Sequence, residues 1–285
     1  MRASLTDYIK SWPLYALPHH AISRLIYKLT RIESAYVPKA IVKFSRVFNV
    51  DLQQAVNPDP ASYKTFNEFF TRPIKPALRP IASADLVSPV DGCISQIAAI
   101  KEGEIFQAKD HYYNAQALLG GDAEIAEKFT QGWFATIYLS PRDYHRIHMP
   151  CAGTLKQQIH IPGRLFSVAP HTVRTVPNLF ARNERVVALF DTEYGEMAMV
   201  LVGAINVAAI ETVWDGLITP PKGKKLSSKM YSDQQVSLKK GEEMGRFNMG
   251  STVILLFTKD APQFSQEMVA DLPVIMGQGI SSNSH

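Results

Sequence analysis

The spacing of apolar residues predicts two amphipathic helices near the N-terminus. From His19 to Ile32, apolar residues recur every three or four positions, which is the repeat of one helix face. The same count places Arg24, Lys28 and Arg31 on the opposite face. A second helix is expected to begin at Pro38, because proline is favoured in the first helical turn, and its apolar face consists of Ile41, Phe44, Val47 and Phe48.

From about residue 86 onward, the pattern becomes typical of β-strands. Runs rich in β-branched or aromatic residues are separated by turn signals: Trp133–Leu139, Gly153–Ile161, Arg185–Asp191, Met197–Val213 and Ser251–Phe257. The third and fourth runs are predicted to pair as a hairpin, because only the turn from Thr192 to Gly195 separates them. A helical stretch at residues 115–128 interrupts the strands.

These elements predict an α+β fold with two parts. Residues 1–60 form a helical segment, and residues 61–285 form a β-rich catalytic body. The stretch Asn57-Pro58-Asp59-Pro60 marks the break between them. Just after it, Thr65 and Glu68 have the spacing of a capping box at the start of a short helix.

Composition is compatible with a single large domain and an appendage. The chain has 285 residues, of which 46% are apolar, so it can bury a sizeable core. Its two cysteines, Cys93 and Cys151, have no CxxC spacing, and no secretory leader precedes them, which fits a reducing compartment without disulfides. No apolar run reaches the roughly 18–20 residues of a membrane-spanning helix. The protein is therefore expected in the cytosol or on the cytosolic face of a membrane.

The net excess of positive over negative charge lies in the N-terminal fifty residues. The net charge of the chain is +4, but residues 1–50 carry eight cations against Asp7 and Glu33: Arg2, Lys10, Arg24, Lys28, Arg31, Lys39, Lys43 and Arg46. Together with Trp12, this excess favours an interfacial segment on an anionic membrane surface over a pair of helices that only pack on the body. We expect no nucleic-acid partner.

Three separate stretches contain the parts of a charge relay. The stretch SPVDG contains Asp91, SPRDYHRIHMP contains His145 and His148, and Gly250-Ser251 stands directly before an apolar run. An acid, a histidine and a serine can act together to deprotonate the serine. The residues alone leave two alternatives open. One is a metal-dependent hydrolase that uses His145, His148 and Asp91 as ligands. The other is a membrane-binding module in which Gly250-Ser251 only begins a strand.

Longer stretches resemble one enzyme family. MGST at residues 249–252, preceded by KKGEEMGRFN, resembles the processing site of pyruvoyl-dependent phosphatidylserine decarboxylases of the prokaryotic type. Other stretches resemble signatures of that family in the same order: TFNEFFTRP, SPVDG, SPRDYHRIHMP, VPNLFARNERV and IETVWDG. The match runs from about residue 60 to Phe257. One departure is Met249, where the family usually has leucine.

The resemblance implies a self-processing enzyme that converts phosphatidylserine to phosphatidylethanolamine and CO2. The chain would cut itself between Gly250 and Ser251 into a large β chain and a small α chain. Ser251 would become a covalent pyruvoyl cofactor that forms a Schiff base with the substrate amine. Glycine would remove bulk beside the attacked carbonyl and permit a strained turn.

The same resemblance implies a role for each polar side chain. His148 would be the base for Ser251, and Asp91 would orient His148. His145 is the candidate proton donor during decarboxylation, because an imidazole titrates near neutrality. No metal is expected. The two chains would remain together as a heterodimer on the cytoplasmic face of the cell membrane, bound peripherally, and further homo-oligomerisation stays open.

Overall fold

The computed structural model describes residues 3–109, 111–205, 209–220, 225–231 and 236–282. Its α-helices are α1 Leu5–Ser11, α2 Pro13–Ala16, α3 His19–Leu29, α4 Val37–Phe48, α5 Phe66–Phe70, α6 Ala115–Leu118, α7 Ala123–Glu127, α8 Pro170–Thr175 and α9 Leu179–Arg182. Helices α3 and α4 confirm the two amphipathic helices predicted from the sequence. Helix α5 confirms the predicted cap, because the Thr65 hydroxyl accepts a hydrogen bond from the Glu68 backbone N–H.

The strands of the described chain all lie after residue 90. They are β1 Gly92–Ala99, β2 Glu104–Ala108, β3 His111–Asn114, β4 Trp133–Tyr138, β5 Arg146–His148, β6 Gly153–Ile161, β7 Arg185–Thr192, β8 Gly195–Val202, β9 Ile210–Thr212, β10 Gly216–Thr219, β11 Ser227–Met230, β12 Ser237–Leu238, β13 Glu243–Phe247, β14 Thr252–Phe257 and β15 Pro273–Val274. Strands β7 and β8 form the predicted hairpin. With a β-rich body and helices at the N-terminus, the fold is α+β, as predicted.

Within the described residues, the strands form three antiparallel sheets. The largest has the order β11–β6–β7–β8–β14–β4–β1–β15, and β12 also pairs with β6. A second sheet has the order β10–β9–β13–β5, and β2 pairs with β3. Strand β14 lies inside the large sheet between β8 and β4, and all six of its residues are buried. Burying an aliphatic or aromatic side chain contributes roughly 1.5–3 kcal/mol, so β14 is firmly held.

Two sequence-based elements were wrong in extent. The predicted strand Met197–Val213 is divided, since β8 ends at Val202 in the large sheet and β9 belongs to the second sheet. Both strands are largely buried, so the sequence stays apolar although the chain passes from one sheet to the other. Residues 206–208, between the two strands, lie outside the described residues. The predicted helix at 115–128 is two short helices, because Gly120 and Gly121 have φ of +101° and +95° between them.

The N-terminal helices contact the body through both polar and apolar side chains. Asp7 on α1 forms an ion pair with Arg174, and the Nδ1 of His19 on α3 accepts a hydrogen bond from the Leu165 backbone N–H. The buried face of α3 presents His19 and Ser23, whereas Leu25 and Leu29 are exposed. The apolar face of α3 therefore points largely outward. No helix among the described residues is long and apolar enough to cross a membrane.

Helix α4 connects the helical segment to the residues that follow. Ile41 on α4 packs in a small apolar cluster with Tyr63 and Phe69, which lie beyond residue 60. The Asn67 backbone N–H also donates a hydrogen bond to the Thr30 carbonyl. The division of the chain at residue 60 stays a prediction.

Candidate active site

Gly250 and Ser251 lie in the loop that joins the two larger sheets. Strand β13 of the second sheet ends at Phe247, and β14 of the large sheet begins at Thr252. Ser251 is 0% exposed, and its carbonyl accepts a hydrogen bond from the Leu139 N–H at 2.9 Å. Its hydroxyl has no hydrogen-bond partner among the residues that the structure describes. Leaving a buried polar group unpaired costs about 1–3 kcal/mol, which marks this hydroxyl as a candidate reacting group.

Gly250 is required by close approach. A Cβ atom on Gly250 would lie 3.2 Å from the Leu139 carbonyl oxygen and 3.4 Å from Nε2 of His145. The first contact is tighter than ordinary van der Waals contact, and the second lies at its lower limit. The expectation of a strained turn was wrong, since the φ of Gly250 lies outside the left-handed region. The glycine instead lets a backbone oxygen and an imidazole approach Gly250-Ser251.

His145 is the imidazole nearest to the Cβ position of Gly250. It is 0% exposed, and its Nδ1–H donates to the Asp143 carbonyl at 2.8 Å, which leaves the lone pair on Nε2. That Nε2 has no partner within the described chain. Burial, with a smaller contribution from the charge of Arg72, lowers the pKa of His145 from 6.5 to about 3, although the hydrogen bond to Asp143 acts in the opposite direction. The ring is therefore neutral, and its Nε2 can accept a proton.

His148 uses both ring nitrogens elsewhere. Its Nδ1–H donates to the Gly241 carbonyl at 2.8 Å, and its Nε2 accepts a hydrogen bond from the Tyr144 hydroxyl at 3.0 Å. Burial lowers the pKa of His148, but the carboxylates of Glu243 and Asp91 act in the opposite direction. His145 and His148 are three residues apart in an extended segment, where such residues point to opposite faces. Their different neighbours follow from this geometry.

Asp91 is held by a different set of partners. Its Oδ1 accepts hydrogen bonds from Arg79 Nε and from the Met276 backbone N–H, both at 2.8 Å, and its Oδ2 pairs with the same guanidinium. The structure therefore brings Gly250, Ser251 and His145 together. It gives Asp91 no hydrogen bond to His148, and it gives His148 none to Ser251. The relay roles of Asp91 and His148 stay predictions.

An apolar cavity adjoins Gly250. It has a volume of about 120 Å³, and Gly250, Met249 and Phe70 are among its lining residues. Helix α4 contributes Phe44 and Phe48 to the same wall. The rings of Phe48, Phe44, Phe70 and His145 follow one another with centroid separations of 4.4, 6.1 and 4.2 Å. Since Phe48 is 40% exposed, this series leads from the surface of α4 to the buried imidazole.

Several residues that support the site were missed in the sequence analysis. Asn183 fixes the cavity wall, because its amide bonds the backbone of Phe166 and the carbonyl of Gly203. Glu211 accepts a hydrogen bond from Asn248, which precedes Gly250 by two residues. Asn183 and Glu211 stand in VPNLFARNERV and IETVWDG, so these motifs contained the signal. Asn248 itself stands beside MGST.

The side chains that a metal-dependent hydrolase would need do not converge. Within the described ranges, no three or more histidine, cysteine, aspartate or glutamate side chains are grouped so that they could hold a metal ion. His145, His148 and Asp91 therefore do not form the ligand set of that alternative.

Comparisons with known proteins agree on one family. A family model described as phosphatidylserine decarboxylase matches residues 66–282, and a second model, described as PSD, matches residues 9–46. A phosphatidylserine decarboxylase proenzyme of Alkalilimnicola ehrlichii is 58% identical over 254 residues, or 88% of each chain. The proenzyme of the same name from Vibrio cholerae is 53% identical over 278 residues, which are 95% of this chain and 98% of its own. That of Photobacterium profundum is 52% identical over 96% of each chain.

Proposed function

The chain belongs to the phosphatidylserine decarboxylase family, and we propose that it converts phosphatidylserine to phosphatidylethanolamine and CO2 after cutting itself between Gly250 and Ser251. The observation that carries this proposal is the buried, unpaired hydroxyl of Ser251, which follows a glycine in the wall of an apolar cavity. The word proenzyme in the names of the relatives also supports processing.

In the proposed cleavage, Ser251 supplies the nucleophile. Its Oγ attacks the carbonyl carbon of Gly250 while its proton passes to a base, and the peptide C–N bond breaks as the ester C–O bond forms. Loss of the Cα proton of Ser251 then expels the Gly250 carboxylate and leaves dehydroalanine. Water releases ammonia from this residue and leaves a pyruvoyl group at position 251.

The two products stay associated for a structural reason. The small chain would contain 35 residues (285 minus 250), and β14 lies within it. Backbone hydrogen bonds on both edges join β14 to β8 and β4 of the large chain. We therefore expect a heterodimer that needs no new contact after the cut.

The site fits a pyruvoyl group at position 251. The buried hydroxyl, which has no partner among the described residues, marks the residue that would be converted: Oγ would leave with the Gly250 carboxylate, and Cα would become the ketone carbon. When present, a pyruvoyl carbonyl supplies an electron sink for the charge left when CO2 departs. The cavity lined by Phe44, Phe48 and Phe70 offers apolar surface to the lipid part of the substrate.

Charge around the two imidazoles supports a division of roles between them. Proximity favours His145 for both reactions, but a general base carries a positive charge when it takes a proton. At His145 in the uncut chain, burial and Arg72 oppose that charge, and a pKa of about 3 corresponds to roughly 5 kcal/mol. At His148, burial and Arg146 also lower the pKa, but the carboxylates of Glu243 and Asp91 favour the charged ring. We assign the cleavage base to His148, supported by Asp91, with Tyr144 releasing Nε2 for this step.

His145 is assigned to the second reaction. Its Nε2 lies 3.4 Å from the Cβ position of Gly250, the residue before the one where the new group would form, and Phe70 packs against its ring beside the cavity. A bound phosphatidylserine brings a carboxylate and a phosphate, and negative charge nearby raises the pKa of an imidazole. His145 could then hold the proton that the substrate carbon needs after CO2 leaves.

The N-terminal helices support attachment to an anionic membrane surface. Large exposed apolar side chains concentrate there, including Trp12 at 69% exposure, and the others are Leu5, Tyr8, Ile9, Tyr15, Leu17, Leu25, Leu29, Ile32, Tyr36, Val42, Val47 and Phe48. Exposed cations accompany them: Lys10, Arg24, Lys28, Lys39, Lys43 and Arg46. At about 1 kcal/mol for each cation near an anionic leaflet, this charge is ample for peripheral binding on the cytoplasmic face.

The test of the proposed function is release of CO2 from phosphatidylserine in mixed vesicles. We expect CO2 and phosphatidylethanolamine in equal amounts from the wild-type chain and none from Ser251→Ala. A protein that binds the vesicles without releasing CO2 would be the membrane-binding module instead. Enzymatic activity that a chelator abolishes and a divalent metal ion restores would indicate the metal-dependent hydrolase.

A further inference from the structure

A side chain of the N-terminal helical segment reaches the loop that would be cut. Arg31 follows α3, and its Nη2 donates a hydrogen bond of 3.0 Å to Oδ1 of Asn248, 217 residues later in the chain. The same nitrogen lies 3.6 Å from Oε1 of Glu211 on β9. The guanidinium stacks over the Tyr27 ring at 3.7 Å and also donates to the Tyr27 carbonyl. Arg31 is therefore held in place from its own helix before it contacts the body.

Asn248 begins the loop that contains the proposed cut, residues 248–251, which we call the cleavage loop. It is 1% exposed, and its Nδ2 donates to Oε1 of Glu211 at 2.9 Å and to the Ala209 carbonyl at 3.3 Å. Its backbone N–H donates to the same carbonyl. Only Met249 and Gly250 separate it from Ser251, so a shift of Asn248 moves the scissile bond relative to His145.

We propose that Arg31 and Asn248 are positioning residues for self-cleavage, so that the N-terminal helical segment aligns the scissile bond as well as binding the membrane. This inference rests on the cleavage proposed above. Attack of Oγ on the neighbouring carbonyl needs a defined loop geometry, and a displacement of about 1 Å can slow such a step about 100-fold. Arg31 contributes by holding the amide of Asn248 in one orientation.

The chain also contains a matched ion pair that lies elsewhere. Arg174 on α8 binds Asp7 on α1 through two hydrogen bonds of 2.9 and 3.1 Å, so it too joins the helical segment to the body. Neither residue contacts the described residues of the cleavage loop in a hydrogen bond. Comparing Arg31 with Arg174 separates positioning of the loop from general docking of the helices.

The experiment follows cleavage during pulse-labelled synthesis in a membrane-free translation system with detergent micelles. We expect Arg31→Gln to accumulate uncut chain, because its cleavage should be slower than that of the wild type by a factor of about ten or more. Arg174→Gln should be cut within about twofold of the wild-type rate. Circular dichroism on the purified chains checks that each variant is folded.

A rescue pair tests the contact at Asn248 itself. Asn248→Asp places a carboxylate against Glu211, so cleavage should slow about tenfold or more. Adding Glu211→Gln restores one hydrogen-bond donor and one acceptor between positions 211 and 248. Arg31 loses the carboxylate at position 211 but can pair with the one introduced at position 248. The double variant Asn248→Asp/Glu211→Gln should recover to within about threefold of wild type. Simple damage to packing would not be repaired in this way.

The outcomes separate this inference from the proposal beneath it. A wild-type chain that is never cut would overturn the proposed cleavage and this inference together. Normal cleavage in wild type and in Arg31→Gln would overturn the inference alone. Equal slowing in Arg31→Gln and Arg174→Gln, or a double variant no faster than Asn248→Asp, would also overturn it, because docking or packing would then explain the defect.

Discussion

Nε2 of His145 lies 3.4 Å from the point that a Cβ atom on Gly250 would occupy. The imidazole cannot retreat easily, because it is fully buried and its Nδ1–H is bonded to the Asp143 carbonyl. This pair of residues explains why a glycine precedes Ser251, and it places an unpaired ring nitrogen beside the bond that we propose is cut.

We predict that Gly250→Ala slows self-cleavage by about 10- to 100-fold. The added methyl group would approach His145 and the Leu139 carbonyl oxygen. Leu139 is held in place because its backbone N–H donates a hydrogen bond to the Ser251 carbonyl, directly before β14. Overpacking of this kind costs about 1–3 kcal/mol. The measurement is the fraction of uncut chain over time. The control is Met249→Leu, a half-buried neighbour, and normal cleavage in Gly250→Ala would contradict the account.

The second prediction separates the two histidines. His145→Ala should still yield two chains but lose most decarboxylation, whereas His148→Ala should remain largely uncut. General acid–base catalysis is worth about 100- to 10,000-fold, so either loss is easily measured. Gel mobility and CO2 release are measured on both folded variants. If His145→Ala stays uncut while His148→Ala is processed normally, the roles are reversed, and the nearer imidazole is the base.

Asp91→Asn tests the third member of the relay. The amide keeps the size of the carboxylate but removes the negative charge that raises the pKa of His148. Cleavage should slow, and decarboxylation by chains that have already been cut should change little. Arg79 binds Asp91, so thermal unfolding is measured alongside. Normal cleavage at neutral pH would remove Asp91 from the mechanism.

The buried imidazole predicts a pH dependence of stability. The pKa of His145 is about 3 in the folded chain, against the ordinary value of 6.5 in the unfolded chain. Between these two pH values, the unfolded chain therefore binds more protons than the folded chain. Its contribution to stability is complete above about pH 6.5 and is lost as the pH falls, by up to about 1.4 kcal/mol per unit. In a Ser251→Ala background, which should keep the chain intact, His145→Asn should reduce the loss between pH 6.5 and 5 by roughly 2 kcal/mol.

The measurement for this prediction is urea unfolding of both proteins at several pH values. His20→Asn is the control, because His20 is an exposed histidine on the same chain. Identical pH slopes with and without His145 would show that its imidazole takes up no proton on unfolding.

Membrane binding should depend on the exposed cations of α3. Arg24→Gln with Lys28→Gln removes about 2 kcal/mol, or roughly 30-fold in the partition coefficient for anionic vesicles. Arg31 is left unchanged because it faces Asn248. Higher salt should weaken binding of the wild type more than that of the variant, and Trp12→Ser should weaken binding at every salt concentration. Binding that ignores both the charge change and salt would reduce the basic face to a solvated helix surface.

The sequence predicted the elements whose determinants are local. The apolar spacing of α3 and α4, the Thr65 cap and the β7–β8 turn depend on residues close together in the chain. The orientation of Arg31 could not be predicted, since periodicity put it on a cationic face and its partner Asn248 lies 217 residues away. The neighbours of His145 and His148 were also hidden, because three-residue spacing gives opposite faces in an extended segment but similar faces in a helix.

The central claim is that the chain cuts itself at Gly250-Ser251, and intact mass under denaturing conditions tests it most directly. A preparation that releases CO2 from phosphatidylserine should contain two masses, one for residues 1–250 and one for a 35-residue chain (285 minus 250) that begins with a pyruvoyl group in place of Ser251. Ser251→Ala should give a single full-length mass and no CO2. A single full-length mass in an active wild-type preparation would contradict the account.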